Sequence, residues 1–296
     1  MLRRRAAHGH QWEIRIGHRH VLGRGLPRRL WGDFFHQCMA MSWAKLAGWY
    51  AAYMLVVNLV FATLFWLVPG SVAGPRAPSF GEVFFFAFEV FGTVSFGGFL
   101  PGNLYGHVLA VTEIIIGIAS FAVMTGLSFA RFTRPQANVL FARHPVMNER
   151  DGRWTLSLRV ANSRHNFLSD AQAKLWYIAT EGTGPDRIRR FTRLELERED
   201  SPLFALSWTL FHRVDEHSPL FGATAERLHA SLAGFALIIS GHDETYGQEV
   251  RARHYYEHED LRWHHRYTDI FSIHDDGVEH VDFGRFHDVE PLARED

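Results

Sequence analysis

The amino-acid sequence predicts a chain in two halves. The first is an α-helical membrane half with two spanning helices and a short re-entrant helix and loop; the second is an antiparallel β-sandwich. Three observations predict this. Two charge-poor apolar runs occupy residues 46–68 and 108–130, a shorter apolar run followed by a Gly-rich loop lies between them, and short alternating runs fill the chain after Pro135. A length of 296 residues suits two domains, and 31 Lys and Arg against 32 Asp and Glu leave no bulk charge to attract nucleic acid.

The first run, "LAGWYAAYMLVVNLVFATLFWLV", has no charge, and the second, "VLAVTEIIIGIASFAVMTGLSFA", is interrupted only by Glu113. At about 1.5 Å per residue each can cross a hydrocarbon core of about 30 Å. A buried helix of a large soluble protein would also be apolar, but two runs of this length argue against it. Arg15, Arg19, Arg24, Arg28 and Arg29 precede the first run, Arg131, Arg134 and Arg143 follow the second, and only Arg76 lies between. The positive-inside bias therefore puts both termini in the cytoplasm. No short apolar signal segment comes before Leu46. The single cysteine, Cys38, leaves no disulfide framework, fits a reducing compartment and is expected as a small buried residue.

Between the spans, "PSFGEVFFFAFEVFG" (78–92) is too short to cross, and Ser79 can cap a half-helix there. The following "GTVSFGGFLPGN" (92–103) has Gly residues to bend it and too many apolar side chains for a surface loop. Irregular backbone at membrane depth is tolerated only where protein or a water-filled path covers it. Span, half-helix, Gly-rich loop and span are the parts of a tetrameric cation pore, in which the negative end of the half-helix dipole favours a cation. Upstream, "WGDFFHQCMAMSW" (31–43) reads as an amphipathic helix lying in the interface.

"WGDFFHQCMAMSW", "FFFAFEVFGTV" (84–94), "GLSFARFTRPQANVLFARH" (126–144), "SPLFGAT" (218–224) and "DLRWHHRY" (260–267) together resemble the prokaryotic inward-rectifier potassium channels, in order and from about Leu30 onward. The resemblance implies a homotetramer with a cytoplasmic N-terminal segment (1–30), a slide helix and pore domain (31–135) and a cytoplasmic β-domain (136–296). It implies K+ as the permeant ion, no cofactor, a bacterial inner-membrane location, and the family's usual grouping with voltage-gated channels. Thr93, Val94, Ser95, Phe96 and Gly97 would form the selectivity filter, whose carbonyls replace the hydration shell of the ion. The family pattern has glycine where this chain has Ser95. A left-handed backbone expected at that position would cost a non-glycine residue about 1–2 kcal/mol. Two readings stay open: Ser95 is accommodated and the filter selects potassium, or the filter is distorted and conducts or discriminates poorly. On the second, Ser95→Gly is expected to raise flux or selectivity.

Other roles follow from the resemblance. Glu89 would brace the filter from behind through hydrogen bonds, or serve as a protonated packing group. Glu113 is a weaker candidate, placed near the outer end of its span where water is closer. Ile118, Phe121, Thr125 and Phe129 share one helical face. That face would line the cavity with Phe129 as the gate, although lipid or helix packing fits the same spacing. Phe121 replaces the cavity acid of strongly rectifying relatives, so strong polyamine block is not expected. Gly117 and Gly126 are hinge candidates, against the commoner packing use of membrane glycines. Arg28, Arg29, Arg131 and Arg134 would meet anionic phospholipids at the cytoplasmic boundary.

In the second half, "RWTLSLRVAN" (153–162), "AKLWYIAT" (173–180), "RRFTRLELE" (189–197), "LFALSWTLFHRV" (203–214) and "FALIISG" (235–241) read as strands of an immunoglobulin-like sandwich, with a late hairpin at Asp276-Gly277. By resemblance "GHDETYGQ" (241–248) holds the cytoplasmic constriction at Thr245, Tyr246 and Gly247; a hairpin at a domain tip is the plainer alternative. Of 19 histidines, His254, His258, His264 and His265 invite a metal reading, but they lack HExxH or Cys-His spacing. Strand parity alone would put His254 and His258 on one face, so no metal beyond permeating K+ is expected, and proton sensing fits somewhat better. No phosphate loop or nucleophile elbow is present, so enzyme activity is not expected. The rival from another class is a membrane-anchored sensor or scaffold that passes no ions.

Overall fold

The computed structural model describes residues 12–16, 19–23, 34–133, 137–164, 166–182, 184–273 and 278–292. The chain divides into two compact units, Pro27–Arg134 on one side and Met1–Leu26 with Pro135–Asp296 on the other.

In the first unit a short helix, α1 (Phe34–Ala40), precedes the first spanning helix, α2 (Trp43–Leu67). The interfacial helix expected over 31–43 therefore ends early. Ser42 turns extended and its side chain caps α2, so Trp43 belongs to the span. The half-helix α3 (Phe80–Phe91) starts from a reciprocal capping box between Ser79 and Glu82, and Arg76 pairs with the Glu82 carboxylate. Asn103 caps the second span, α4 (Leu104–Phe132).

At about 1.5 Å per residue, the 25 residues of α2 and 29 of α4 are long enough to span. Only 22% of the most apolar stretch of α2 and 17% of that of α4 is buried within the chain, which a core helix of a soluble protein would not show. The helices run antiparallel: Tyr53 Oη meets Ser120 Oγ at 2.7 Å, and Tyr105 donates to the Leu64 carbonyl at 3.2 Å. Between them α3 seats Val83, Phe86, Ala87 and Phe91, with Phe86 edge-on to Phe65 at 5.3 Å. Cys38 is buried and free, as its sequence context suggested.

The second unit is a sandwich of two five-stranded sheets. Its strands are β1 (Val139–Phe141), β2 (Val146–Arg150), β3 (Arg153–Asn162), β4 (Leu168–Glu181), β5 (Ile188–Leu194), β6 (Asp200–Phe204), β7 (Ser207–Arg213), β8 (Gly234–Asp243), β9 (Gln248–Glu257) and β10 (Arg262–Trp263), with helix α5 (Ala225–Ala230) before β8. One sheet runs β6-β4-β8-β9, with β5 also on β4; the other runs β7-β3-β2-β10, with β1 also on β3. Every pairing in them is antiparallel except β10 on β2.

Period-2 alternation turns Leu156, Leu158 and Val160 of β3, Ala171, Ala173 and Leu175 of β4, and Phe235, Leu237 and Ile239 of β8 into one core. In register, Leu158 faces Leu210, and Ile239 faces Ala173. The run expected as one strand over 203–214 is two. The chain leaves one sheet after Phe204 and enters the other at Ser207, turning a corner of the sandwich. Asp276 and Gly277 lie outside the described residues, while the flanking Phe271–Ile273 and Glu279–Val281 pair antiparallel. A further ladder joins Trp12–Ile16 to Arg19–Gly23.

Candidate functional site

The loop after α3 grows directly out of the helix end. The amides of Gly92, Thr93 and Val94 donate to the carbonyls of Phe88, Val90 and Glu89 at 3.0, 3.1 and 2.9 Å. The end of α3 thus lies against the loop, and with it the negative end of the helix dipole. Residues 92–98 are exposed within the chain, Phe96 at 81%. The apolar side chains and backbone groups of this loop are therefore left uncovered by the rest of the chain.

The backbone corrects one expectation. Left-handed φ occurs at Thr93 (56°) and Gly97 (75°), and Ser95 is not among the described positive-φ residues. Instead the Ser95 hydroxyl accepts from the Gly97 amide at 3.3 Å, a local turn that spares Ser95 the left-handed form. The strain falls on Thr93, whose β-branched side chain makes that conformation costly. Ser95→Gly thus has no left-handed strain of its own to relieve.

Glu89 is half-buried, and its carbonyl rather than its side chain meets the loop, through Val94. Its carboxylate makes no hydrogen bond among the described residues, so the expected brace is not formed within one subunit. Glu113 also departs from expectation. It is fully buried rather than near water, and both carboxylate oxygens lack a hydrogen-bond partner among the described residues. Asn58 of α2 is equally buried and its Oδ1 is likewise unpartnered, while its Nδ2 donates to Met54 O at 2.7 Å. Both residues lie on the stretch bracketed by the Tyr53–Ser120 and Leu64–Tyr105 contacts.

Gly117 lies one turn beyond Glu113. A Cβ there would come within 2.1 Å of the Phe91 carbonyl oxygen, so Gly117 serves close packing of α4 on the end of α3, and the hinge expected there gives way to that contact. Gly126 has nothing within 4 Å. Ile118 (57% exposed), Phe121 (70%), Thr125 and Phe129 (69%) form an uncovered stripe along α4.

Arg131 turns inward. Its guanidinium donates to the carbonyls of Cys38 at 3.3 Å and Met41 at 2.5 Å and lies 4.3 Å over the Trp43 ring. It satisfies carbonyls at the end of α1, which leaves it little freedom to meet a lipid head group. Arg28, Arg29 and Arg134 lie outside the described residues.

In the β-domain, residues 244–247 form the tip joining β8 to β9. Asp243 Oδ1 accepts from the amides of Thr245 (2.9 Å) and Tyr246 (3.3 Å), and Gly247 closes the turn at φ 62°. His254 stacks on Phe141 at 5.2 Å, and burial lowers its pKa. His258 lies past the end of β9, so the two do not share a strand face. It meets His229 instead, a residue the sequence did not single out. His212 is buried between the Glu195 carbonyl (2.7 Å) and Ser218 Oγ (2.8 Å), and desolvation lowers its pKa.

Family models match both parts of the chain: "Ion channel" over residues 34–134 and "Inward rectifier potassium channel C-terminal domain" over residues 139–295. The inward rectifier potassium channel Kirbac3.1 of Paramagnetospirillum magnetotacticum is 34% identical over 90% of this chain and 90% of its own length. The human G protein-activated inward rectifier potassium channel 1 is 26% identical over 71% of this chain, which spans 44% of that relative. The rat inward rectifier potassium channel 4 is 25% identical over 90% of this chain and 68% of its own length. The grouping with voltage-gated channels is not carried by these matches, and neither spanning helix bears a row of arginines. The matched proteins are ion channels and not enzymes, and the two apolar helices make this chain a membrane protein. With both halves matched, the chain belongs to the inward rectifier potassium channel family, on its prokaryotic side.

Proposed function

We propose that the chain is the subunit of a homotetrameric channel that conducts K+ across the bacterial inner membrane. The uncovered loop 92–98 carries this reading, because its backbone groups need three further copies and an ion path to satisfy them. Four copies of Thr93–Gly97 would ring the path with carbonyls, and four α3 ends would aim their negative dipole ends at the cavity. Glu89 would find its partner across a subunit boundary. The stripe of Ile118, Phe121, Thr125 and Phe129 lines the cavity, and four Phe129 rings close it by dewetting, with Gly126 as the flexible point. Thr245, Tyr246 and Gly247 narrow the path in the cytoplasm. Both termini are cytoplasmic, the N-terminal segment is 1–30, the pore domain 31–135 and the regulatory domain 136–296. Anionic phospholipid acts through Arg28, Arg29 and Arg134.

The second reading, a weakly selective or poorly conducting pore, is favoured by the left-handed backbone of the β-branched Thr93. The test is potassium, rubidium and sodium flux through the purified protein in liposomes, with its mass measured in detergent. A tetramer passing potassium and rubidium but not sodium is the expected result. Comparable sodium flux supports the second reading. No flux, even from Phe129→Ala, leaves a non-conducting scaffold.

A further inference from the structure

We propose that His229, His258 and Glu259 form a binding site for a divalent transition-metal ion, zinc in type, in the β-domain. One ligand atom from each lies within 4.8 Å of the others. His229 Nδ1 is 2.9 Å from His258 Nε2, and His258 Nε2 is 3.9 Å from Glu259 Oε1. Tetrahedral zinc holds nitrogen at about 2.0–2.1 Å and oxygen at about 2.0–2.2 Å, so its ligand atoms sit roughly 3.4 Å apart. The nitrogen pair has to open slightly and the carboxylate to close slightly. The exposed Glu259, at 67%, has the freedom to do so.

The surroundings of His258 prepare it as a ligand. Its side chain is 8% exposed, and its Nδ1 lies 3.3 Å from the Ala233 carbonyl. A carbonyl can only accept, so Nδ1 carries the hydrogen and Nε2 presents its lone pair toward His229. Without a metal, that lone pair takes the Nδ1 hydrogen of His229. With a metal, the exposed His229 carries its proton on Nε2 instead and frees Nδ1, with no net proton change. The site is anchored on both sides. His229 follows the buried Leu228 on α5, and His258 opens a turn fixed by the reciprocal Glu257–Asp260 capping box.

Two imidazoles and one carboxylate suit zinc and its neighbours in the transition series, while magnesium and calcium want oxygen ligands throughout. A water would complete the fourth position. The ion would clamp α5 to the end of β9 across 29 residues of sequence.

The experiment uses the full-length protein in detergent, with any histidine tag removed and the metal stripped by chelator. Zinc is titrated against a chromophoric competitor, and cobalt(II) absorption reports coordination. The expected result is one ion per chain with a four-coordinate cobalt spectrum. His229→Ala and Glu259→Ala, both at exposed positions, are expected to fold, and His229→Ala to weaken binding at least about ten-fold. His254→Ala is expected to leave it unchanged. Absence of zinc binding by the wild type, affinity unchanged in His229→Ala, or an equal loss in His254→Ala would each overturn the proposal.

Discussion

Ser95 and Glu113 show how far a single side chain can be read. That Ser95 departs from the filter pattern is plain in the sequence. Where the backbone strain goes is not, because φ depends on which neighbour offers the hydroxyl a donor. With the Gly97 amide as that donor, the bond is worth about 0.5–1.5 kcal/mol per subunit. Ser95→Ala removes it and keeps the Cβ. The potassium-to-sodium permeability ratio, read from reversal potentials, is expected to fall several-fold; an unchanged ratio would make the hydroxyl incidental. Glu113 was visible as an acid in an apolar run, but its complete burial follows from the packing of α3 and α4. An unpaired carboxylate there is costly when charged. Glu113→Gln is therefore expected to keep or raise the melting temperature of the detergent-solubilised protein, and Glu113→Lys to prevent its assembly. A marked loss of stability in Glu113→Gln would point to a partner that needs the acid.

Elements were legible where one periodicity dominated. Both spans and the half-helix stand out because apolar runs of those lengths have few other uses, and Ser79 marks a start that the structure keeps. β9 was missed because "QEVRARHYYE" is mostly polar, with only its inward positions, such as Val250 and Tyr256, in the core. The placing of Arg131 beside the interfacial helix came from the family resemblance, but its carbonyl partners at the end of that helix were hidden, since the contacts cross 93 and 90 residues. Removing charged hydrogen bonds of this kind costs about 1.5–3 kcal/mol each. Arg131→Gln should therefore speed amide exchange throughout Phe34–Ala40 by about ten-fold or more while leaving α2 protected. Phosphoinositide inhibition of flux, if carried by Arg28, Arg29 and Arg134, survives that substitution and disappears when those three are neutralised.

In the sandwich, His212 sets a pH response. Burial lowers its pKa from the ordinary 6.5, so the unfolded chain binds the proton more readily. Its contribution to stability is complete above pH 6.5 and is lost as pH falls below it through the lowered value, and His254 acts in the same direction. Thermal unfolding of the β-domain signal between pH 7.5 and 5.5 is expected to shift to lower temperature with acidification. The shift should shrink in His212→Gln; a shift unchanged by that substitution would assign the response elsewhere.

For the whole molecule, composition alone was silent: near-neutral charge conceals an apolar first half and a polar second. What a single chain cannot display is its own completion. The loop after α3 and the stripe on α4 lie uncovered within the chain, and in the proposed tetramer other copies would finish both surfaces. This has a genetic corollary. If every conducting unit needs four intact filters, one faulty allele does more harm than halving the dose. Random mixing of equal amounts of normal and filter-dead subunits leaves about one assembly in sixteen wholly normal. Co-expressing the wild type with a folded but blocked variant should depress flux toward that fraction, whereas a loss of only half would mean that each chain conducts alone.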